Sequence, residues 1–173
     1  GEWRGVATLL QQGLIERGDT ALLFLELNTD GELEVGSQVA SLTYTYPISE
    51  SWTLTGSFGY SYSRFVEFRK PAYNYRFRTL QGLLQVEHVL KDADNFRWTA
   101  AAAFSTNRSD SFKSGRHYPL VTGGGDDGWT HNGFLKLSTN LGGFNGPVIW
   151  NANAYFSQGI AGVTLDEHLT NLE

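Results

Sequence analysis

The sequence has no cysteine and no methionine among its 173 residues. The absence of cysteine fits a protein that crosses an oxidising periplasm, where unpaired thiols are avoided. Because a natural chain begins with methionine, we expect either that a leader has been removed or that the sequence is part of a longer chain. No cationic stretch followed by an apolar one starts the sequence, so it contains no recognisable signal segment.

Long apolar runs and charged residues are also scarce. No run approaches the roughly 20 apolar residues that a membrane helix needs. This excludes helical spans but leaves strand spans, which need only about 9–11 residues each. Charged residues make up 18 % of the chain, below the roughly 25 % of an average domain. The formal net charge is −5 and nothing basic is clustered, so no nucleic-acid partner is expected.

The abundant residues are those of a strand with two different faces. Glycine (20 residues) and aromatic residues (14 %) are both frequent. In the segment 52–63, WTLTGSFGYSYS, the even positions are aromatic, aliphatic or glycine, whereas the odd positions are small and mostly polar. Alternate residues of a strand share a face, whereas helical spacing would mix the two sets. The segment therefore predicts a strand with one apolar and one polar face.

The same alternation recurs along the chain and predicts about eight strands and no helix. Gly13 counts against a helix over residues 9–16. We expect an all-β fold, an antiparallel up-and-down transmembrane β-barrel over residues 1–163 that forms part of a larger barrel, followed by a polar tail or loop over residues 164–173. The predicted strands span residues 2–11, 20–28, 38–46, 52–63, 78–90, 96–106, 129–140 and 148–157.

The predicted connections alternate in length. Those over residues 14–19, 47–51, 91–95 and 142–146 are short and rich in turn-forming Pro, Gly, Asn and Asp. Longer connections are predicted over residues 28–36, 64–76 and 107–127. Short turns at one end and long loops at the other are typical of an outer-membrane barrel, with the turns periplasmic and the loops outside the cell.

A soluble lipocalin-like barrel is the alternative, and the polar face distinguishes the two. A soluble exterior is rich in Lys, Arg, Asp and Glu. Here the polar face carries mainly Ser, Thr, Asn and Gln, while most charges fall in the predicted connections. That composition favours a wet lumen surrounded by a lipid-facing wall in a bacterial outer membrane, with outer-membrane lipid as one partner.

The alternation assigns individual residues to the two faces. The residues expected to line the lumen are Arg4, Ser41, Thr43, Thr55, Ser57, Gln81, Gln85, Glu87, Arg97, Thr99, Asn132, Lys136, Asn151 and Asn153. The residues expected to face lipid are Leu54, Phe58, Tyr60, Leu84, Trp98, Phe104, Leu135 and Trp150.

No motif in the sequence indicates catalysis or metal binding. The four histidines, at positions 88, 117, 131 and 168, share no ligand spacing. The run of Gly and Asp over residues 123–128 lacks the spacing and the bidentate Glu of a calcium hand, so a flexible loop tip is the better interpretation. Nothing places a base beside a nucleophile. We therefore expect no enzyme activity, no cofactor and no metal.

Several stretches resemble the barrel of two-partner secretion transporters, the haemolysin-activator or haemagglutinin-transporter family. GLIERGDTALLFLEL resembles a family turn that ends in Gly-Asp before a rising strand. SLTYTYPISESWTLTGSFGYSYSRF resembles its Tyr-x-x-Pro-type turn, followed by Trp and an alternating aromatic strand. The other matching stretches are GEWRG, LLQVEHVLKDADNFRWTAAAAFS and GFNGPVIWNANAYFSQGI.

The resemblance implies a translocator that exports one large partner protein, unfolded, to the cell surface. It also implies that this sequence covers about half of a sixteen-strand barrel, without the family's upstream polypeptide-binding domains and lumen-inserted loop. Two alternatives within the same architecture stay open, a barrel that assembles other barrels in the outer membrane and a passive porin. A lipid-remodelling or proteolytic barrel is a further class, but it needs clustered ionisable residues at the rim, and none is evident.

Overall fold

The protein is one antiparallel sheet whose strands follow each other in chain order. The computed structural model describes residues 2–30, 36–67, 73–118 and 129–160. The strand order is β1-β2-β3-β4-β5-β6-β8-β9, with β7 paired to β6 alone. The nine strands are β1 (Glu2–Gln12), β2 (Thr20–Asp30), β3 (Gly36–Pro47), β4 (Trp52–Glu67), β5 (Tyr73–Ala93), β6 (Phe96–Lys113), β7 (Arg116–His117), β8 (Trp129–Asn145) and β9 (Val148–Gly159).

This meander confirms the predicted all-β, up-and-down architecture. Residues 9–16, where Gly13 counted against a helix, contain the end of β1 and the start of the β1–β2 turn. In the ranges described, no helix has the length and apolar character needed to cross a membrane. The predicted tail over residues 164–173 and the Gly-Asp run over residues 123–128 lie outside the described residues.

Continuous pairing keeps two faces separate across the whole sheet. Directly opposed residues of paired strands point to the same face. One such row joins Thr45, Thr55, Gln85, Ala103 and Lys136. The neighbouring row joins Tyr44, Gly56, Leu84, Phe104 and Leu135. The register thus carries one polar and one apolar face from strand to strand without exchange, and we call these the polar face and the apolar face.

The strands are staggered, so the turns at one end do not lie on a single row. The β1–β2 turn follows the pair Gln12–Thr20, whose row includes Ala103 of β6. The β5–β6 turn follows the pair Ala93–Phe96, which lies much closer to the start of β6. A steady shift of this kind tilts the strands relative to the line of turns, which is the geometry that a closing barrel requires.

The predicted loops over residues 64–76 and 107–127 are wrong in their bounds. β4 continues to Glu67, β5 begins at Tyr73, and β6 continues to Lys113. Aromatic side chains stack across this extension, with Phe65 and Tyr75 ring centroids 5.0 Å apart. The alternation of apolar residues ends where charged residues begin, but strand pairing continues because it does not require an apolar face.

At the turn end, β8 likewise continues to Asn145 rather than stopping at residue 140. The β8–β9 connection is therefore limited to the two residues 146–147, of which Gly146 adopts a φ of 58°. Only glycine adopts this left-handed conformation at little cost, so Gly146 permits the tight reversal.

Candidate functional site

The polar face gathers every residue that the sequence assigned to a lumen. The pairing register places Arg4, Ser41, Thr43, Thr55, Ser57, Gln81, Gln85, Glu87, Arg97, Thr99, Asn132, Lys136, Asn151 and Asn153 on one face of the sheet. The apolar face likewise holds Leu54, Phe58, Tyr60, Leu84, Trp98, Phe104, Leu135 and Trp150.

The polar face is the more enclosed of the two along β6. Ala102 and Ala103 are identical side chains on opposite faces of this central strand. Ala102, on the apolar face, is exposed, whereas Ala103, on the polar face, is 7 % exposed. Phe58 and Leu84 of the apolar face are 56 % and 54 % exposed. Large exposed apolar side chains beside an enclosed polar surface are the reverse of a soluble protein's arrangement.

A cleft of about 440 Å³ lies mainly along the polar face. Side chains of five strands line it, from Ser41 on β3 to Lys136 on β8. Gln81 and Asn107 are directly opposed within it. Leu83 and Phe134 also line it and interrupt the polar surface. Leu83 was an exception to the alternation of its strand, and the register confirms that it lies on the polar face.

Several polar side chains on this face bind to one another. Thr79 Oγ1 and Ser109 Oγ are 3.2 Å apart across β5 and β6. Asn151 donates to Asn140 Oδ1 at 2.8 Å. Arg4 Nε and Glu26 Oε1 form an ion pair at 2.8 Å. These contacts use part of the hydrogen-bonding capacity of the polar face.

Aromatic residues mark two levels on the apolar face. One level lies beside the short turns and shifts along the sheet as the turns do. Its residues are Tyr46, Trp52, Trp98 and Trp150. Trp52 stacks on His88 with 4.2 Å between ring centroids. Along β4, Tyr62 lies about ten residues beyond Trp52, which corresponds to roughly 26 Å of height for a strand tilted by about 40°. That separation matches the apolar band of an outer-membrane barrel, about 25 Å tall.

The β1–β2 turn is built around a buried carboxylate. Asp19 is fully buried. Its carboxylate accepts hydrogen bonds from the backbone amides of Leu14 at 2.7 Å, Ile15 at 2.8 Å and Glu16 at 3.0 Å, and from the Tyr44 hydroxyl at 2.5 Å. The Tyr44 hydroxyl, followed by the backbone amides, holds the pKa of Asp19 well below its usual range, although burial opposes this shift.

This constellation makes Asp19 a structural anchor rather than a reactive group. The Tyr46 hydroxyl donates to the Glu16 carboxylate, so two tyrosines of β3 form hydrogen bonds with the same turn. The Gly-Asp turn was recognised in the sequence, but its contact with Tyr44, a residue of the next hairpin, was missed. Only the spacing of Tyr44 and Tyr46 before Pro47 could have indicated it.

We expect Asp19→Asn to lower the temperature at which the barrel unfolds at neutral pH. A carboxylate with a lowered pKa stabilises the fold above the pKa of the unfolded chain, about 3.9, and this stabilisation is lost as the pH falls through the folded value. The deficit of the variant should therefore shrink in acid. Asp94→Asn, in an exposed turn position, is the control. Heat-dependent gel mobility measures both, and equal unfolding temperatures at pH 7 would contradict the anchor.

The structure brings together no group of metal ligands or catalytic residues in the ranges it describes. No three His, Asp or Glu side chains converge there. His88 Nδ1 lies 3.1 Å from the carbonyl of Ser51, and His131 Nε2 lies 3.0 Å from the Thr106 hydroxyl. Both histidines therefore have structural contacts close to the ends of the apolar face.

Comparison with known proteins identifies the fold. Neither a protein-family model nor a curated protein matches the sequence. Among solved structures, CdiB from Acinetobacter baumannii, a two-partner secretion transporter, superposes with a TM-score of 0.77 at 13 % sequence identity. The chain has the fold of a two-partner secretion barrel. The superposition covers 92 % of this chain and 29 % of CdiB, so the chain spans less than a third of that transporter's length.

The match confirms the resemblance read from the sequence, at the level of the fold. The antiparallel up-and-down sheet without helices in its described residues agrees with part of such a β-barrel. The arrangement of the two faces is also consistent, because a barrel wall in a membrane needs one face for water and one for lipid.

Proposed function

We propose that this chain forms part of an outer-membrane translocator that exports a large partner protein to the cell surface. The observation that carries the proposal is the enclosed polar face of small neutral side chains, backed by an exposed apolar face, in a two-partner secretion fold. In this proposal the polar face lines the lumen, the apolar face contacts the outer-membrane lipid, and the secreted partner protein is the cargo.

The chemistry of the polar face suits a chain in transit. Hydroxyl and amide groups make weak hydrogen bonds that an extended polypeptide can exchange with water at little cost. Charges are few and include the Arg4–Glu26 pair, which neutralises itself. Such a wall keeps the lumen hydrated without binding the cargo tightly. Conduction requires that the cargo can both enter and leave the lumen easily.

The site of contact can be tested by crosslinking in the full-length protein that contains this sequence. A photo-reactive residue at Gln81, on the polar face, should capture the partner protein during export. The same residue at Leu84, on the same strand but the opposite face, should capture none. Single alanine changes at Thr55, Gln85 and Asn132 should leave the amount of exported partner almost unchanged, because no single contact dominates.

The outcome separates the proposal from its alternatives. Capture of immature barrel proteins at Gln81, with loss of other barrels from the membrane, would point to an assembly machine. Loss of solute uptake with no captured polypeptide would point to a porin. Capture of cargo at Leu84 rather than Gln81 would reverse the two faces.

The same protein should show one orientation in the membrane. The 173 residues contain no cysteine, so an introduced cysteine is the first reactive thiol in this part of the protein. We expect Arg116→Cys, in the β6–β7 hairpin, to react with a membrane-impermeant maleimide on intact cells. Asp94→Cys, in the β5–β6 turn at the other end, should react only after the outer membrane is permeabilised. The opposite pattern would invert the topology.

A further inference from the structure

Four arginines converge on the apolar face, although the sequence shows no basic cluster. Arg64 and Arg76 are directly opposed on β4 and β5, Arg78 is opposed to Asp110, and Arg108 is opposed to Leu80. The sequence pattern predicts loops at Arg64, Arg76 and Arg108 and the start of a strand at Arg78. Because the strands continue, the register puts the four side chains on the face that carries Phe58 and Leu84. We call Arg64, Arg76, Arg78 and Arg108 the arginine cluster.

The arginine cluster begins where the apolar band ends. Along β6, Arg108 lies about ten residues beyond Trp98, the distance that spans a bilayer core. Along β4, Arg64 follows Tyr62, the last aromatic residue of the apolar face. The cluster is therefore at the edge of the lipid-facing band away from the short turns, which is the outer-leaflet side in the proposed orientation.

Neighbouring groups hold these guanidinium groups in place. Arg78 forms an ion pair with Asp110 at 3.1 Å and is nevertheless 44 % exposed. The guanidinium carbons of Arg78 and Arg76 lie 4.9 Å and 5.6 Å from the centre of the Phe112 ring. Arg64 Nε donates to Asn74 Oδ1 at 3.0 Å. Ordered arginines lose less entropy when they bind an anion.

The opposition of like charges within the arginine cluster favours a bound anion. Like charges directly opposed in a sheet, such as Arg64 and Arg76, destabilise it. The Nε atom of Arg76 is buried and makes no hydrogen bond within the described residues. A bound anion would relieve both costs.

The shape of the surface selects among possible anions. A cleft of about 230 Å³ is lined by Arg78, Arg108 and Asp110 at its polar side and by Tyr60 and Leu80 at its apolar side. The apolar side continues into the band of Phe58 and Leu84. A ligand that fits has a phosphate for the arginines and a hydrocarbon part for the band, which describes a lipid and not a free ion.

We propose that the arginine cluster binds the phosphate groups of a phosphorylated glycolipid in the outer leaflet. Arginine pairs with phosphate through two parallel N–H···O bonds, which gives the strength and geometry that a headgroup site needs. This proposal rests on the placement of the apolar face in lipid. Bound glycolipid would fix the height and tilt of the β4–β6 part of the wall at the cell surface.

The test measures lipid binding to the full-length protein in detergent by native mass spectrometry. The probes are bisphosphorylated lipid A, the same lipid without phosphates, and inorganic phosphate as a competitor. We expect the double variant Arg64→Gln/Arg108→Gln, which keeps the Arg78–Asp110 pair, to bind bisphosphorylated lipid A about tenfold or more weakly, because two charge-assisted contacts with phosphate are lost. Lys91→Gln, on the same face at the turn end, should bind normally.

Heat-dependent gel mobility confirms that each variant is folded, and Arg78→Lys serves as a milder variant that should bind with intermediate affinity. Equal binding by the double variant, equal binding of the dephosphorylated lipid, or displacement by millimolar phosphate would each overturn the proposal. Labelling of Leu84→Cys by a lipid-soluble probe tests the membrane placement separately. Failed glycolipid binding with normal labelling would therefore leave the proposed function intact.

Discussion

Phe58→Arg is expected to destabilise the barrel by about 2–4 kcal/mol, whereas Ser57→Arg, one residue earlier, should cost little. Phe58 lies near the middle of the apolar band between Trp52 and Tyr62, and 56 % of it is exposed. In the proposed orientation that exposed surface contacts hydrocarbon, where a guanidinium group has no partner. Ser57 points to the opposite, polar face, where water can solvate the charge.

The measurement is the stability of the full-length protein refolded into lipid vesicles, followed through denaturant titration. The two variants add the same side chain at adjacent positions. Any difference in their stability therefore depends on which face of the sheet carries the arginine. If Ser57→Arg proves the more damaging change, the two faces are exchanged. Equal small effects would indicate that neither face contacts lipid.

Gly143→Ala is expected to cost about 1–3 kcal/mol by overpacking. A Cβ atom at this position would lie 2.5 Å from the carbonyl oxygen of Asn95, 2.8 Å from Cβ of Phe96 and 2.9 Å from Cζ2 of Trp150. The backbone oxygen cannot yield easily, because it accepts a hydrogen bond from the Phe144 amide at 2.9 Å. The added methyl group must therefore push β8 away from the β5–β6 turn.

Gly56→Ala is the matched control for that change. Gly56 also lies within a strand on the apolar face, but an added Cβ meets nothing within 4 Å. Replacing glycine with alanine there removes freedom from the unfolded chain, so we expect an effect between zero and a gain of about 1 kcal/mol. Unfolding in denaturant measures both variants. A Gly143→Ala protein as stable as the Gly56→Ala protein would contradict the close packing.

The sequence predicted the existence and type of every long strand because period-two alternation survives within each segment. In the segment that became β4, aromatic and small polar residues alternate from Trp52 to Ser63 without interruption. The same alternation puts the candidate site residues on one face of the paired strands, since neighbouring strands pair residue by residue. The extension of β5 back to Tyr73 was not predicted, because Arg76 was assigned to the loop over residues 64–76.

By itself the sequence determined the two faces of each regular strand, because alternate side chains of an unbroken strand point to opposite faces. The bulge between Val89 and Lys91 of β5, which places Lys91 on the apolar face, is seen only in the structure. Only the tertiary structure decided which residues of different strands meet, because pairing register and stagger depend on the whole sheet. It brought Tyr44 to Asp19, which lie 25 residues apart, and placed Arg64 opposite Arg76. No local pattern specifies those distances, since each depends on the length and conformation of the connections between the strands.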